Sequence, residues 1–245
     1  MSAATVFLLA ALGELVAEKS GMLNLGVEGM MAISAAVGFV VTYQTGSHVL
    51  GFAIAALAGI LVSLIFALVS ITFLANQVAT GLAVGILSLG VSALIGKKFE
   101  SLTISAPEPV FIAGLSEIPF IGPVFFQQNI VVYGAIFTAV LIAFCLNKTR
   151  LGLAIRACGE NPRAAEALSY SVWKIRYGSV AFGGMMAGFA GAYASTVYTP
   201  LWADGMIAGR GWIAVALVVF GTWKTSRIFP VSYTHLTLPT VTQCR

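Results

Sequence analysis

Apolar stretches, each near the length that a bilayer requires, follow one another along most of the chain. Those that approach the ~20 residues of a membrane-crossing helix lie at 22–43, 49–74, 78–96, 130–146 and 177–198. Shorter ones lie at 1–17 and 211–223. Hydrophobic residues make up 59% of the chain and charged residues 9%, against about 25% charged in soluble domains. The sequence therefore predicts an all-α polytopic membrane protein with about six to seven transmembrane helices.

The polar links between these stretches divide the predicted transmembrane domain, which we expect over residues 1–228. The links near 45–48 and at 76–77 are so short that the helices they join are expected to be antiparallel neighbours. Residues 14–20 are expected to form a polar link after a short first span. The link 97–129 is longer and contains four prolines, Pro107, Pro109, Pro119 and Pro123.

The longest polar stretch, 149–176, carries a basic excess that sets the predicted orientation. Its basic residues outnumber Glu160 and Glu166; they are Arg150, Arg156, Arg163, Lys174 and Arg176. Basic loops of this kind lie on the cytoplasmic side, so 147–176 is predicted to be a cytoplasmic loop. Because one loop explains much of the net charge of +4, we expect no binding to nucleic acid.

Counting helices from that loop places the other links. The link 97–129 is then external, and residues 76–77 are cytoplasmic. The region of Trp202, Asp204 and Arg210 falls near the external end, where an external binding protein would meet the chain. Within the cytoplasmic loop, Asn161 is a favourable N-cap and Pro162 suits the first turn of a short surface helix.

Small residues recur every four positions at Gly81 and Gly85, and again at Gly184 and Gly188. Such rows allow helix backbones to approach closely in a membrane. Two interpretations stay open: packing within one subunit, or a subunit interface or moving gate.

Asn24 and Glu28 begin the second apolar stretch and are expected on one helix face, four positions apart. An ionisable group inside a membrane helix costs ~2.5–3.5 kcal/mol on insertion scales and usually faces a cavity or a partner. Glu28 could bond a neighbouring helix near the cytoplasmic end, or it could contact a substrate. The same structural alternative holds for Asn76 and Gln77. The candidates for lining a substrate path are Asn24, Glu28, Asn76, Gln77, Ser88 and Ser92.

Catalytic and metal-binding patterns are missing from the sequence. The two histidines, His48 and His235, are far apart, and the three cysteines, Cys145, Cys158 and Cys244, show neither metal-site nor disulfide spacing. We therefore expect no metal site, no catalytic residues and no enzyme activity in this chain.

Four blocks of sequence together carry a resemblance to a known family. They are GELVAEKSGMLNLGVEGMMAISAA (13–36), ANQVATGLAVGILSLGVSALIG (75–96), TRLGLAIRACGENPRAAEALSYSVWKIRYGSVAFGGMMAGFAGAYAS (149–195) and GMIAGRGWIAVALVVFGTW (205–223). In combination they resemble permease subunits of bacterial ABC importers for nucleosides and simple sugars. Those subunits belong to the wider branched-chain amino acid and ribose permease group.

The resemblance implies a coupling helix in the cytoplasmic loop that docks on a separate ATP-binding-cassette subunit. Its residues would be Gly159, Glu160, Asn161, Pro162, Ala164, Ala165 and Glu166. ATP and Mg²⁺ would bind that partner, so this chain needs no cofactor. The resemblance also implies a second permease subunit, a periplasmic or lipid-anchored substrate-binding protein, and surrounding lipid of the bacterial cytoplasmic membrane. The second permease could be identical or different.

Nucleosides are the expected substrates, with simple sugars such as ribose or galactose as the nearest competitor. Two other classes stay open: a secondary ion-coupled carrier, which would need inverted repeats, and a membrane scaffold or receptor subunit without transport.

The end of the chain departs from the family pattern. From Lys224 onward the sequence is polar and Thr-rich and contains no further span. We expect the tail 229–245 to be non-native and the transmembrane domain to be truncated at its C-terminus.

Overall fold

The computed structural model describes residues 2–108 and 127–225, together with residues 227, 228 and 232. Most of this part of the chain is helical. The helices are α1 (Ser2–Lys19), α2 (Val27–Thr45), α3 (His48–Ala67), α4 (Gln77–Gly96), α5 (Ile130–Lys148), α6 (Arg150–Glu160), α7 (Pro162–Ala167), α8 (Val172–Tyr193) and α9 (Arg210–Phe220). Helices α3 and α8 continue in single π-helical turns, Leu68–Thr72 and Ala194–Tyr198.

Five of these segments are long and apolar enough to cross a membrane. They are Val27–Thr45, His48–Thr72, Gln77–Phe99, Ile130–Lys148 and Val172–Tyr198. Helix α1, with 18 residues, is about 27 Å long and also traverses the bundle, whereas α9, with 11 residues, is too short to cross alone. The predicted all-α polytopic fold is confirmed.

Helix α1 lies in the middle of the bundle and not at its edge. Every residue from Leu8 to Ala17 is buried, and the helix packs on α8 and α9. A helix that is apolar on all sides belongs in a protein interior, which explains why α1 shows no apolar stripe. The expectation of a polar link over 14–20 was wrong, because Glu14 and Glu18 both lie within this helix and Glu14 is only 1% exposed.

One end of the bundle, here called the loop end, gathers the cytoplasmic loop with the links that helix counting placed beside it. Arg176 donates from Nε to the carbonyl oxygen of Ser20 at 3.3 Å. The backbone N–H of Leu23 donates to Oε1 of Gln77 at 2.9 Å. The indole of Trp223, after α9, donates to the carboxylate of Glu18. Five helix ends therefore meet at the loop end, as the predicted topology requires.

The opposite end, here called the far end, gathers the remaining links. Thr103 forms an isolated antiparallel bridge with Leu201, and the ring of His48 bonds the carbonyl oxygen of Ser105 at 3.1 Å. Residues 97–108 and 199–201 thus lie on the same side of the bundle. The prolines Pro109, Pro119 and Pro123, and all of the tail 229–245 except Ser232, lie outside the described residues.

Both predicted rows of small residues pack inside the subunit. A Cβ on Gly81 would lie 2.8 Å from the backbone N of Leu25, and one on Gly184 would lie 2.4 Å from the carbonyl oxygen of Gly59. Real Cβ atoms do not approach so closely, so the contact of α4 with the 20–26 segment and the α3–α8 contact exist only because these positions are glycine. Close backbone approach of this kind is how membrane helices gain packing energy without a hydrophobic driving force.

Two predicted helix starts were wrong. Helix α2 begins at Val27 and not at residue 22, and α8 begins at Val172 and not at residue 177. Residues 20–26 instead form a non-helical segment between α1 and α2. Asn24 and Glu28 therefore do not share a helix face.

Candidate substrate path and coupling site

Residues 199–209 descend from the far end into the bundle without forming a helix. The backbone N–H of Ile104 donates to the carbonyl oxygen of Pro200 at 3.0 Å at the far end. At the bottom of the segment, the N–H of Gly209 donates to Oε1 of Glu28 at 3.1 Å, in the first turn of α2. Helix α9 then covers the remaining distance with its 11 residues, about 16 Å. The stretch 199–220 is thus half loop and half helix.

Two glycines make this descent possible. Gly205 has φ +73° and Gly209 has φ +78°, and a Cβ on either would meet no atom within 4 Å. A side chain would therefore fit at both positions. Glycine is needed because the backbone is left-handed there, a conformation that glycine adopts without strain.

Glu28 lies where α2, the descending segment and α9 meet. Its Cα and Cβ pack against Gly211, where an added Cβ would lie 2.4 Å from them. One carboxylate oxygen accepts the bond from Gly209, and the other, Oε2, is buried without a hydrogen-bond partner. The N-termini of α2 and α9 both lie beside this carboxylate.

Arg210 was predicted to lie near the external end, and the structure corrects that placement. It follows Gly209 directly, so its backbone lies beside Glu28 deep in the bundle. Its guanidinium lies 5.6 Å from the centre of the Tyr198 ring, and Nη1 is buried without a hydrogen-bond partner. Trp202, in contrast, packs against Gly96 at the far end of α4, as predicted. Counting helices did not predict that residues 199–209 enter the bundle as a loop. The sequence feature that indicates this loop is the pair Gly205 and Gly209, followed by a short apolar run.

Asn24 uses its polar groups within the 20–26 segment. Its side-chain Oδ1 accepts from the N–H of Gly26 at 2.9 Å, and its Nδ2 contacts the sulfur of Met30 at 3.4 Å. Its own N–H donates to Oε1 of Glu14 at 3.0 Å. The buried carboxylate of Glu14 therefore fixes the turn that leads into α2.

The other path candidates lie on or near α4, and the bonds found for three of them are structural. Asn76 caps α4 by accepting from the N–H of Ala79 at 3.1 Å, and Gln77 binds the 20–26 segment as described above. Ser92 donates to the carbonyl oxygen of Ala32 at 2.8 Å, which ties α4 to α2. Ser88 is buried on the same face of α4. Gln77 and Ser92 thus connect α4 to its neighbours, whereas Asn76 caps the helix.

The predicted coupling residues form the junction of α6 and α7. Asn161 accepts from the N–H of Ala164 at 3.1 Å and caps α7, with Pro162 at the first helical position. Ala165 is buried against Cys158 and Val172, while Glu160, Ala164 and Glu166 are exposed. The predicted capped, proline-initiated helix is thus present, with one face on the subunit and one face free.

Gly159 joins this junction to the α1–α2 link. A Cβ on Gly159 would lie 2.3 Å from the carbonyl oxygen of Lys19 and 3.1 Å from the N of Gly21. The bond from Arg176 to Ser20 fastens the same link from the start of α8. The α6–α7 junction is therefore in direct contact with residues 19–21, a few residues before Asn24 and Glu28.

A cavity of about 300 Å³ opens at the far end between α1, α5 and α8. Its lining is mostly polar and includes Gln127, Gln128, Asn129, Tyr193 and Tyr198. Tyr198 is also the residue that Arg210 faces from below. Tyr198 thus lies between the cavity and Arg210.

No group of three or more potential metal ligands occurs within the described ranges.

Residues 1–242 match the family described as the permease component of branched-chain amino acid transport systems. The chain belongs to this permease family. Together with its apolar helices, this makes it a multi-pass protein of the cytoplasmic membrane.

Several relatives of this permease are named as permease subunits of ABC transporters. It is 42% identical to the permease protein TsgC13 of Haloferax volcanii, named for glucose transport, over 95% of this chain and 72% of the relative. It is 37% identical to the guanosine permease protein NupQ of Bacillus subtilis, over 90% of this chain and 73% of the relative. It is 30% identical to the nucleoside permease protein NupC of Lactococcus lactis, over 90% and 73%. No solved structure matches the chain.

Proposed function

We propose that this permease subunit imports nucleosides, with uptake driven by ATP hydrolysis on a separate subunit. The observation that carries the coupling part is the α6–α7 junction. It presents a capped helix with an exposed face, and it is tied through Gly159 to the link before Glu28. A flexible linker would need neither the Asn161 cap nor the backbone contact at Gly159.

The proposed partners follow from the relatives and from the two ends of the bundle. An ATP-binding-cassette subunit would dock on the exposed face of α7, and a second permease subunit would complete the path. A substrate-binding protein would deliver solute to the far end. ATP and Mg²⁺ would bind the cassette subunit, so this chain supplies no catalytic residue.

Nucleoside transport is supported by two relatives named for guanosine and nucleosides. A simple sugar is the second candidate, because the relative with 42% identity is named for glucose. Both solute classes are rich in hydroxyl groups.

Uptake in cells tests this function. The full chain is expressed with its cassette subunit, second permease and binding protein, and uptake of labelled guanosine and of labelled glucose is measured. We expect guanosine uptake that requires a hydrolysis-competent cassette subunit and resists excess glucose. Uptake of glucose alone would move the substrate class, and uptake that persists with a hydrolysis-dead cassette would refute ATP coupling.

A further inference from the structure

A polar strip crosses the outer surface of the subunit at membrane depth. It consists of Glu28, Asp204, Gly205, Ala208 and Arg210. Asp204, Gly205 and Ala208 are exposed, and Glu28 and Arg210 are partly exposed. The strip lies at membrane depth, because the 11 residues of α9 still separate it from the loop end.

This strip cannot face lipid. Non-helical backbone at membrane depth is tolerated only where protein buries it or where it lines a water-filled cavity. The outward face of α3 shows what lipid contact looks like in the same subunit: Leu57, Leu61 and Ile65 are 53%, 64% and 48% exposed. The polar strip therefore lies against other protein or lines a water-filled path in the assembled transporter.

Two opposite charges on the strip have unused hydrogen-bonding capacity. Oε2 of Glu28 is an acceptor without a partner, and Nη1 of Arg210 is a donor without one. A buried polar atom without a partner destabilises the structure unless something binds it. The Tyr198 ring, 5.6 Å from the guanidinium, adds an aromatic surface beside them.

We propose that Glu28 and Arg210 form a substrate subsite for the neighbouring hydroxyl groups of a sugar ring, free or within a nucleoside. One hydroxyl donates to Oε2 of Glu28, and its neighbour accepts from Nη1 of Arg210. The Gly209 bond to Oε1 holds the carboxylate in place for this contact. This subsite rests on the proposed transport function and places it at the polar strip.

Cysteine labelling of the assembled transporter tests the location. Ala208→Cys is placed in a chain carrying Cys145→Ala, Cys158→Ala and Cys244→Ala, and purified with its partner subunits. A charged, membrane-impermeant maleimide is expected to modify it and to be slowed by saturating guanosine. The matched control Leu57→Cys, on the lipid-facing side of α3, is expected to react slowly with or without solute. An unreactive Ala208→Cys, or one whose reaction guanosine and glucose both leave unchanged, would overturn the subsite.

A second comparison tests the chemistry. Glu28→Gln keeps an oxygen for the Gly209 bond but loses the charged acceptor. In the parent chain, 2′,3′-dideoxyguanosine should protect Ala208→Cys at least about tenfold less well than guanosine, the usual effect of losing a hydrogen bond to a charged group. In Glu28→Gln that difference should shrink to about twofold or less. A purely structural role for Glu28 would leave the difference intact and would contradict the proposal.

The same protection experiment includes Arg210→Lys and two control variants with changed surface charges. Arg210→Lys keeps the charge but loses the planar donor, so it should weaken protection in the same way. Glu100→Gln and Lys98→Gln change exposed charges outside the strip and should leave protection unchanged. Cellular uptake is measured separately: normal uptake with no solute protection refutes only the subsite, whereas absent guanosine and glucose uptake in the parent refutes the proposed function.

Discussion

The Cα of Gly159 lies against the carbonyl oxygen of Lys19, so close that an added Cβ would lie 2.3 Å from that oxygen. This contact joins the loop that carries α7 to the link between α1 and α2. It is made by backbone on both sides, so neither partner can yield by rotating a side chain. The loop that carries α7 and the link before Glu28 are therefore packed backbone to backbone.

Gly159→Ala should uncouple the two regions. The new Cβ forces the backbones apart, at a cost of about 1–3 kcal/mol, and displaces α7 from the α1–α2 link. We expect solute imported per ATP hydrolysed to fall severalfold while the protein still inserts in the membrane. Gly178→Ala is the control, since a Cβ there meets nothing within 4 Å. Equal transport by the two variants would refute the role of this contact.

Asn161→Ala should weaken α7 itself. The side chain accepts from the N–H of Ala164 at 3.1 Å, and loss of an N-cap costs about 1 kcal/mol. Faster amide hydrogen exchange over Pro162–Ala167 and lower coupled transport are expected. Glu160→Ala, on the exposed face, should lower coupling without faster exchange. As a control, Asn147→Ala alters an exposed asparagine on α5; wild-type coupling in both test variants would contradict the prediction.

Cys158 should make the α6–α7 junction sensitive to alkaline pH. Burial raises the pKa of its thiol, and nearby Arg176 only partly opposes this effect. A raised pKa in the folded state means that stability is complete below the unfolded pKa and is lost as pH rises through the folded pKa. Exposure of α7 to proteolysis in the purified protein should therefore increase on raising the pH from about 8 to above 9. Cys158→Ala should remove that dependence; an unchanged pH profile would count against it.

Gly29→Ala should destabilise the contact between α2 and α4. A Cβ at residue 29 would lie 2.5 Å from the carbonyl oxygen of Gly85, which costs about 1–3 kcal/mol. The expected result is a lower temperature of unfolding in detergent. Gly90→Ala lies on α4 where a Cβ meets nothing within 4 Å, and it should be neutral or slightly stabilising because alanine favours helix. The reverse order of stabilities would show that α2 and α4 do not pack in this way.

The membrane class, the approximate number of spans and the capped α7 helix could be predicted from the sequence, because each depends on local properties. Apolar length reports membrane crossing directly. The cap at Asn161 and the proline at residue 162 act within one turn of helix. The grouping of the links at two ends of the bundle could also be predicted, since consecutive helices that cross a bilayer must alternate in direction.

Long-range contacts decided what the sequence alone did not. Residues 20–26 are not helical, and Glu14, ten residues earlier in the chain, accepts the N–H of Asn24 within them. No local pattern around Asn24 predicts that partner. Arg210 lies beside Glu28 because residues 199–209 enter the bundle as a loop. Helix counting could not show this, since it treats every crossing of the membrane as a helix. Burial of Glu14 within an apolar helix depends on α8 and α9 surrounding α1. Local chemistry fixed which segments cross the membrane, whereas packing between distant segments fixed where the polar groups lie.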